Sequence, residues 1–377
     1  MKLSCLQENL KRGLAIVGRA VAGKSTLPVL SNILLSSDDG RLKLAATNLE
    51  VGVTCWIGAK IEHEGAITVP AKLLTDVVGS LPNDKIMLEL DARTQTLKLT
   101  CARFETNIKG IEAEEFPVIP TAPDRAPTAS FAPDVLREAI DRIAFAAATD
   151  DTRPVLTGVQ IRLRGDKATF AAADGFRLAQ RTVELPTPVA EAIELIVPAR
   201  ALSELARIIG DSDEPVQVIV AQGGAQVLFH TSNVDLVSRL IDGKYPDIER
   251  VIPANYATRT ILDTQELAKA VRLSSYFANA SANIVRLTLE SGGDFGPGKI
   301  TISANAAEVG DNKGAIDAMV HGEGGQIALN VKFLAEAISA IVTPQVALET
   351  QTAQSPAVFR PVGSEGYVHV VMPMTVR

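Results

Sequence analysis

The chain has 377 residues, 46% of them hydrophobic and 21% charged, so it can bury several sizeable cores, and no apolar run is long enough to span a bilayer. A formal net charge of −7 argues against a protein that grips nucleic acid through a basic overall surface, because phosphate neutralisation needs cations. The opening MKLSCLQENL lacks the charged-then-apolar layout of a signal peptide, and a cytoplasmic location is expected.

In chain order, the first residues alternate and then turn helical, with Leu10, Leu14 and Val17 at helical spacing. Gly18–Ser25 (GRAVAGKS) satisfies GxxxxGK[ST], the phosphate-cradling loop of nucleotide hydrolases, and LAIV (Leu14–Val17) before it could pass for a strand. A P-loop nucleotide hydrolase is therefore the alternative function. Against it, the helix that must follow would hold Pro28 beyond its first turn, at a cost of about 3 kcal/mol. Lys24 then reads as a loop cation. Arg41–Ile57 and Lys85–Ala102 alternate at period two around turn residues, as strands of hairpins do. Cys5, Cys55 and Cys101 sit in apolar strand-like runs without CxxC spacing, as buried thiols in a reducing compartment would.

The pattern then returns. VPAKLLTDVVGSL (Val69–Leu81) recurs as VPARALSELARII (Val197–Ile209) and more loosely as LNVKFLAEAISAI (Leu329–Ile341). An offset of 126 residues carries Leu10 onto Leu136, Leu14 onto Ile140, Val17 onto Ile143, Thr26–Leu30 onto Thr152–Leu156, and Thr47-Asn48 onto Ala173-Asp174. Leu267 and Val271 repeat the helical spacing in a third copy. EEFPVIP (Glu114–Pro120) and KYPDIERVIP (Lys244–Pro253) close the first two copies, with linkers near Thr121–Thr128 and Ala254–Arg259. The prediction is an α+β chain of three similar domains, 1–122, 128–254 and 258–377, each with two helices packed on antiparallel sheets.

The second helix of each copy begins with a cation: Lys72, Arg200 and Lys332. A positive side chain there opposes the helix dipole by about 0.3–1 kcal/mol, so its recurrence points to a role beyond helix stability, and a helix start is suited to meeting phosphate. The other helix cations are interleaved with carboxylates such as Glu8, Asp134, Glu138 and Glu266, so any such grip is expected to be weak, sequence-blind and sensitive to salt. His63, His230, His321 and His369 have no metal-ligand spacing, no Ser/His/Asp order stands out, and Glu112, Glu114 and Glu115 read as a solvated charge run. These signs favour a binding or scaffold protein without metal, cofactor or catalytic residues.

Four segments, TLPVLSNILL (Thr26–Leu35), ADGFRLA (Ala173–Ala179), YPDIERVIP (Tyr245–Pro253) and YVHVVMPMTVR (Tyr367–Arg377), make the whole chain resemble the bacterial sliding clamps, the beta subunits of DNA polymerase III. The resemblance implies the DNA-clamp fold and a head-to-tail homodimeric ring around double-stranded DNA, held by enclosure rather than by adhesion. Lys24, Lys72, Arg153, Arg200 and Lys332 would face the DNA. It also implies a peptide groove between the second and third domains, used by the polymerase III alpha subunit, the clamp loader, other polymerases and repair factors. The matching positions are Leu156, Gly175, Arg177, Leu178, Pro246, Arg250, Val251, Asn330, Phe333, Val370, Met372, Pro373 and Met374. The dimer seam would join Phe104 and Thr106 to Leu273 and Ser274. This chain departs from the family's common residues at Ala173, Phe176 and Phe333 and in its Met374–Arg377 ending, and GDFGPGK (Gly293–Lys299) looks like a lengthened hairpin.

Overall fold

The computed structural model describes residues 1–23, 25–122, 127–210, 213–221, 223–292 and 298–375. The first module runs β1 (Lys2–Leu6), α1 (Gln7–Val17), β2 (Asn32–Asp38), β3 (Arg41–Thr47), β4 (Val51–Gly58), β5 (Lys60–His63), β6 (Ala66–Pro70), α2 (Ala71–Ser80), β7 (Lys85–Asp91), β8 (Thr96–Cys101) and β9 (Phe104–Lys109). The second runs β10 (Ala129–Phe131), α3 (Pro133–Asp141), β11 (Gly158–Arg164), β12 (Lys167–Ala173), β13 (Arg177–Glu184), β14 (Ile193–Pro198), α4 (Ala199–Ile209), β15 (Val216–Val220), β16 (Gln226–His230) and β17 (Val234–Arg239). The third runs β18 (Thr258–Asp263), α5 (Thr264–Ala278), β19 (Ile284–Glu290), β20 (Gly298–Ala306), β21 (Gly310–His321), β22 (Gly325–Asn330), α6 (Val331–Ser339), β23 (Gln345–Thr350), β24 (Ala357–Pro361) and β25 (Tyr367–Val371). The order strand, helix, strands, helix, strands is repeated three times, and all strand pairings are antiparallel.

The chain forms two compact units, Met1–Arg137 with Ala201–Leu240 and Glu138–Arg200 with Ile241–Arg377. In the first unit, α1 turns Leu10, Leu14 and Val17 inward, each 1% exposed or less, as their spacing predicts. Gly13 allows the helix to lie close on the sheet, since a Cβ there would come within 2.6 Å of the Leu44 side chain. Strands β7 and β8 alternate as predicted, burying Ile86, Leu88, Leu97 and Leu99. Strands β3 and β4 do not alternate cleanly, because α1 covers one face while Val29, Leu30 and Phe116 pack around Ala45. Cys5, Cys55 and Cys101 are buried free thiols, and burial pushes Cys5 up to about 12 and Cys55 up to about 11, so neither is a nucleophile near neutrality.

The P-loop alternative falls, and one sequence expectation is corrected. Leu14–Val17 belong to α1, Gly18–Ala20 continue it as a 3-10 turn, and Pro28–Ser31 form another short 3-10 turn that leads into β2. The strand, loop and helix of a P-loop are therefore not formed around Gly18–Ser25, and Lys24 itself lies outside the described residues. The second linker is also shorter than expected, because β18 already begins at Thr258, where backbone pairing with β23 starts. Within the lengthened hairpin, residues 293–297 lie outside the described residues.

Adjacent modules are joined by strand pairing. In the first unit the eight-stranded sheet has the order β10-β15-β16-β17-β4-β3-β2-β6, so β17 of the second module pairs with β4 of the first. In the second unit the order β14-β11-β12-β13-β25-β24-β23-β18-β21-β20-β19-β22 pairs β25 of the third module with β13 of the second. Tracing the ladders outward from β1, β10 and β18 makes Thr106, Leu236 and His369 equivalent. Tracing from β6, β14 and β22 makes Val53, Ala179 and Asn312 equivalent. Leu236 sits opposite Val53, and His369 opposite Ala179, so the two junctions share one register. Among the described residues, two matching edges carry no partner strand: β9 at the end of the five-stranded sheet β5-β1-β7-β8-β9, and the outer side of β21 over Gly310–Ala318.

Candidate functional site

The groove between the second and third modules is built on a turn. Asp174 Oδ1 accepts the backbone N–H groups of Phe176 (2.8 Å) and Arg177 (3.0 Å), closing the β12–β13 connection. Asn48 closes the β3–β4 turn in the same way, accepting from Glu50 and Val51, which explains why Asn48 and Asp174 coincide in the repeat. The next residue takes a left-handed conformation in both turns: Leu49 at φ 74° and Gly175 at φ 93°. Gly175 is required twice over, because a Cβ there would also lie 2.9 Å from the Arg153 guanidinium. That guanidinium donates to the Asp174 carbonyl at 2.7 Å, so Arg153 lies on the groove turn.

Below the turn, Leu156, Leu178 and Val370 form one apolar cluster with Tyr245, Ile248, Val358 and Val368. Tyr245 fixes the floor by accepting the Ala173 N–H at 3.0 Å, and burial pushes its phenol up to about 12, so it stays neutral. Ile248 is the buried residue of the 3-10 turn Ile248–Val251, while Pro246, Arg250 and Val251 face outward. Among the described residues, Arg250 is ion-paired to Asp247 alone, at 2.9 Å.

Arg177 ties the walls together. Its guanidinium bonds the Asp174 and Glu336 carboxylates and the Phe145 carbonyl. It also lies 4.7 Å from the Phe333 ring centroid and 5.4 Å from that of Phe145. Phe333 in turn stacks on Phe176 with centroids 6.4 Å apart, and Phe145 stacks on His369 at 5.7 Å. Phe176 is 61% exposed and His369 is fully buried, so one stack runs from the groove mouth to the core. Burial, with the Arg177 charge, pulls His369 down to about 3 and keeps it neutral. Asn330 caps α6 by accepting from the N–H groups of Lys332 and Phe333, which holds Phe333 in place.

The tail completes the site. Met372 N–H donates to the Phe176 carbonyl and Met374 N–H to the Ala328 carbonyl, both at 2.8 Å, laying Met372, Pro373 and Met374 beside a cleft of about 420 Å³. Arg286, Ala353 and Gln354 also line this cleft; they come from β19 and the β23–β24 loop, and no local pattern in the sequence marks them. Residues 376–377 lie outside the described residues.

Lys72, Arg200 and Lys332 each occupy the second position of α2, α4 and α6, are exposed, and have no carboxylate within ion-pair distance among the described residues. Free N–H groups are not common to all three helix starts, since Asn330 takes two of those of α6. At the open edges, Phe104 is 58% exposed at the start of β9, Thr106 is half-buried, and Leu273 is exposed on α5. Ser274 is not a surface contact as expected: it is fully buried and bonds the Asn312 side chain at 2.9 Å, because α5 turns that face onto β21.

Three repeated α+β modules joined edge to edge, with a partly apolar groove at one junction, define the architecture of DNA clamps. Family models for the N-terminal, central and C-terminal domains of the DNA polymerase III beta subunit match residues 1–120, 130–247 and 249–375. The chain therefore belongs to the DNA polymerase III beta subunit family, the beta sliding clamps. It is 34% identical to the beta sliding clamp of Synechocystis over 99% of both chains, and 35% identical to that of Synechococcus elongatus over 100% of both. Among solved structures, it superposes on the Bacillus subtilis DNA polymerase sliding clamp with a TM-score of 0.93 at 27% identity, and on the Pseudomonas aeruginosa DNA polymerase III subunit beta with 0.90 at 30%, each over 100% of both chains. No helix among the described residues is long and apolar enough to cross a membrane.

Proposed function

We propose that this chain is a cytoplasmic, non-catalytic processivity factor: two copies close head to tail into a ring around duplex DNA, and the groove tethers a polymerase to it. Family membership supports the clamp function, and the observation that carries the ring is the shared register of the two internal junctions together with the two unpaired edges. Extended to a second copy, that register sets Thr106 opposite the partner's Asn312 and Phe104 opposite its Gly314. The equivalents of Phe104 are Val234, which shares a small cleft with Ile16, and Tyr367, which lies under Arg142. Ile16 and Arg142 correspond to Leu273 in the repeat, so Leu273 would meet Phe104 across the seam. Retention of the purified protein on closed circular DNA, with release on linearisation, tests the ring; equal loss from circles and linear duplexes would refute it.

Enclosure removes the need for a strong grip. Lys72, Arg200 and Lys332, with Arg153 and Lys24, would meet phosphates weakly and without sequence preference, so the ring can slide. Arg153 serves this role only in part, since its guanidinium is also engaged at the groove turn. The groove suits a short peptide with apolar anchors, each worth roughly 1.5–3 kcal/mol on burial, so that the polymerase alpha subunit, the clamp loader, and other polymerases and repair factors can exchange on one site. No metal or cofactor enters this scheme. Truncation of Met372–Arg377 should abolish peptide binding and leave the dimer intact.

A further inference from the structure

At each internal junction an arginine meets an acid on the following module's second helix, while the matching positions for the seam hold no arginine; this deepens the head-to-tail reading, on which it rests. At the first junction Arg19, just after α1, reaches Glu204 of α4 at 3.1 Å. At the second, the equivalent acid is Glu336 of α6, and Arg177 reaches it while stacking on Phe145, the repeat equivalent of Arg19. The third acid of this set is Asp76 on α2, exposed and without an ion-pair partner among the described residues. The third-module equivalent of Arg19 and Phe145 is Tyr276, 61% exposed, and the equivalent of Arg177 is Gly310. Neither position supplies a cation.

We infer that Tyr276 of one protomer donates its phenolic hydrogen to the Asp76 carboxylate of the other, so that a single neutral-donor hydrogen bond replaces the arginine pair found at both internal junctions. Hydrogen bonds from a neutral donor to an ion are weaker than bidentate guanidinium pairs.

The dimer dissociation constant, measured by sedimentation and by exchange of fluorescently labelled subunits, tests the pair. Tyr276→Arg should restore the missing ion pair and tighten the dimer at least tenfold at low salt, with the gain shrinking as salt rises. Tyr276→Phe should loosen it several-fold, and Asp76→Asn should cancel both effects in the double variants. A dimer whose constant is unmoved by Tyr276→Arg, or moved equally with and without Asp76→Asn, overturns the pair and leaves the ring intact. A wild-type chain that stays monomeric at every concentration overturns the ring and the pair together.

Discussion

Arg177 at the start of β13 and Glu336 on α6 form a salt bridge between the second and third modules, with the Arg177 side chain only 7% exposed. Together with the Phe145 and Phe333 rings on either side, this pair fixes how the groove's two walls meet. Replacing Arg177 by Ala leaves the acids Asp174 and Glu336 without their cation. It should cost about 3 kcal/mol of stability in a denaturant titration, the low end for breaking a buried pair because Glu336 is partly solvated. Arg177→Lys should recover little, since an ammonium cannot stack or bond both acids in one plane.

Buried His369 makes stability depend on pH with a definite sign. Its folded-state pKa, about 3, lies below the unfolded value of about 6.5, so below pH 6.5 the unfolded chain binds the extra proton. The native state should therefore hold its full stability above that pH and lose up to about 2 kcal/mol by pH 5. Denaturant titrations of the wild type and of His369→Leu at the two pH values should show a flatter dependence for the variant, because leucine takes up no proton in either state.

Phe176 contributes to the groove without holding up the fold. It is largely exposed and stacks on Phe333, so Phe176→Ala should lower affinity for a clamp-binding peptide by roughly two- to tenfold, in line with an aromatic contact of about 0.5–1.5 kcal/mol. The melting temperature should stay within about a degree of wild type, since surface changes away from buried networks move stability little. Calorimetric titration and a thermal melt separate the two effects.

Phe104→Asp places a charge on the unpaired β9 edge opposite an expected strand. Sedimentation should show monomers where the wild type forms dimers, with unchanged circular dichroism, because Phe104 is largely exposed on the end strand of its sheet.

Lys72→Ala, Arg200→Ala and Lys332→Ala together should lower the slope of log affinity against log salt on duplex DNA by up to about 0.9 for each lost phosphate contact. An unchanged slope would show that these cations do not meet phosphate.

Much of the repeat was visible in the sequence, because burial of one helix face and one sheet face imposes periodicity, and the periodicity of Leu10, Leu14 and Val17 returns at Leu136, Ile140 and Ile143. The coincidence of Asn48 and Asp174 in the repeat was legible too, and its cause is local: an acceptor two and three residues ahead of the amides it caps. The P-loop pattern by itself does not decide whether Leu14–Val17 form a strand or a helix; the helical spacing of Leu10, Leu14 and Val17 pointed to the helix, and α1 packs on β3 and β4 accordingly.

By itself, the sequence determined three tandem α+β modules and their helix-start cations, since each depends on side chains close in the chain or on a pattern repeated along it. Only the tertiary structure decided that Ser274 is buried beneath Asn312, that Arg177 bridges to Glu336 between two rings, and that both junctions share one register. Those relations join residues scores of positions apart, and the free energy that selects them comes from strand pairing and burial between modules, which no local stretch of the chain encodes.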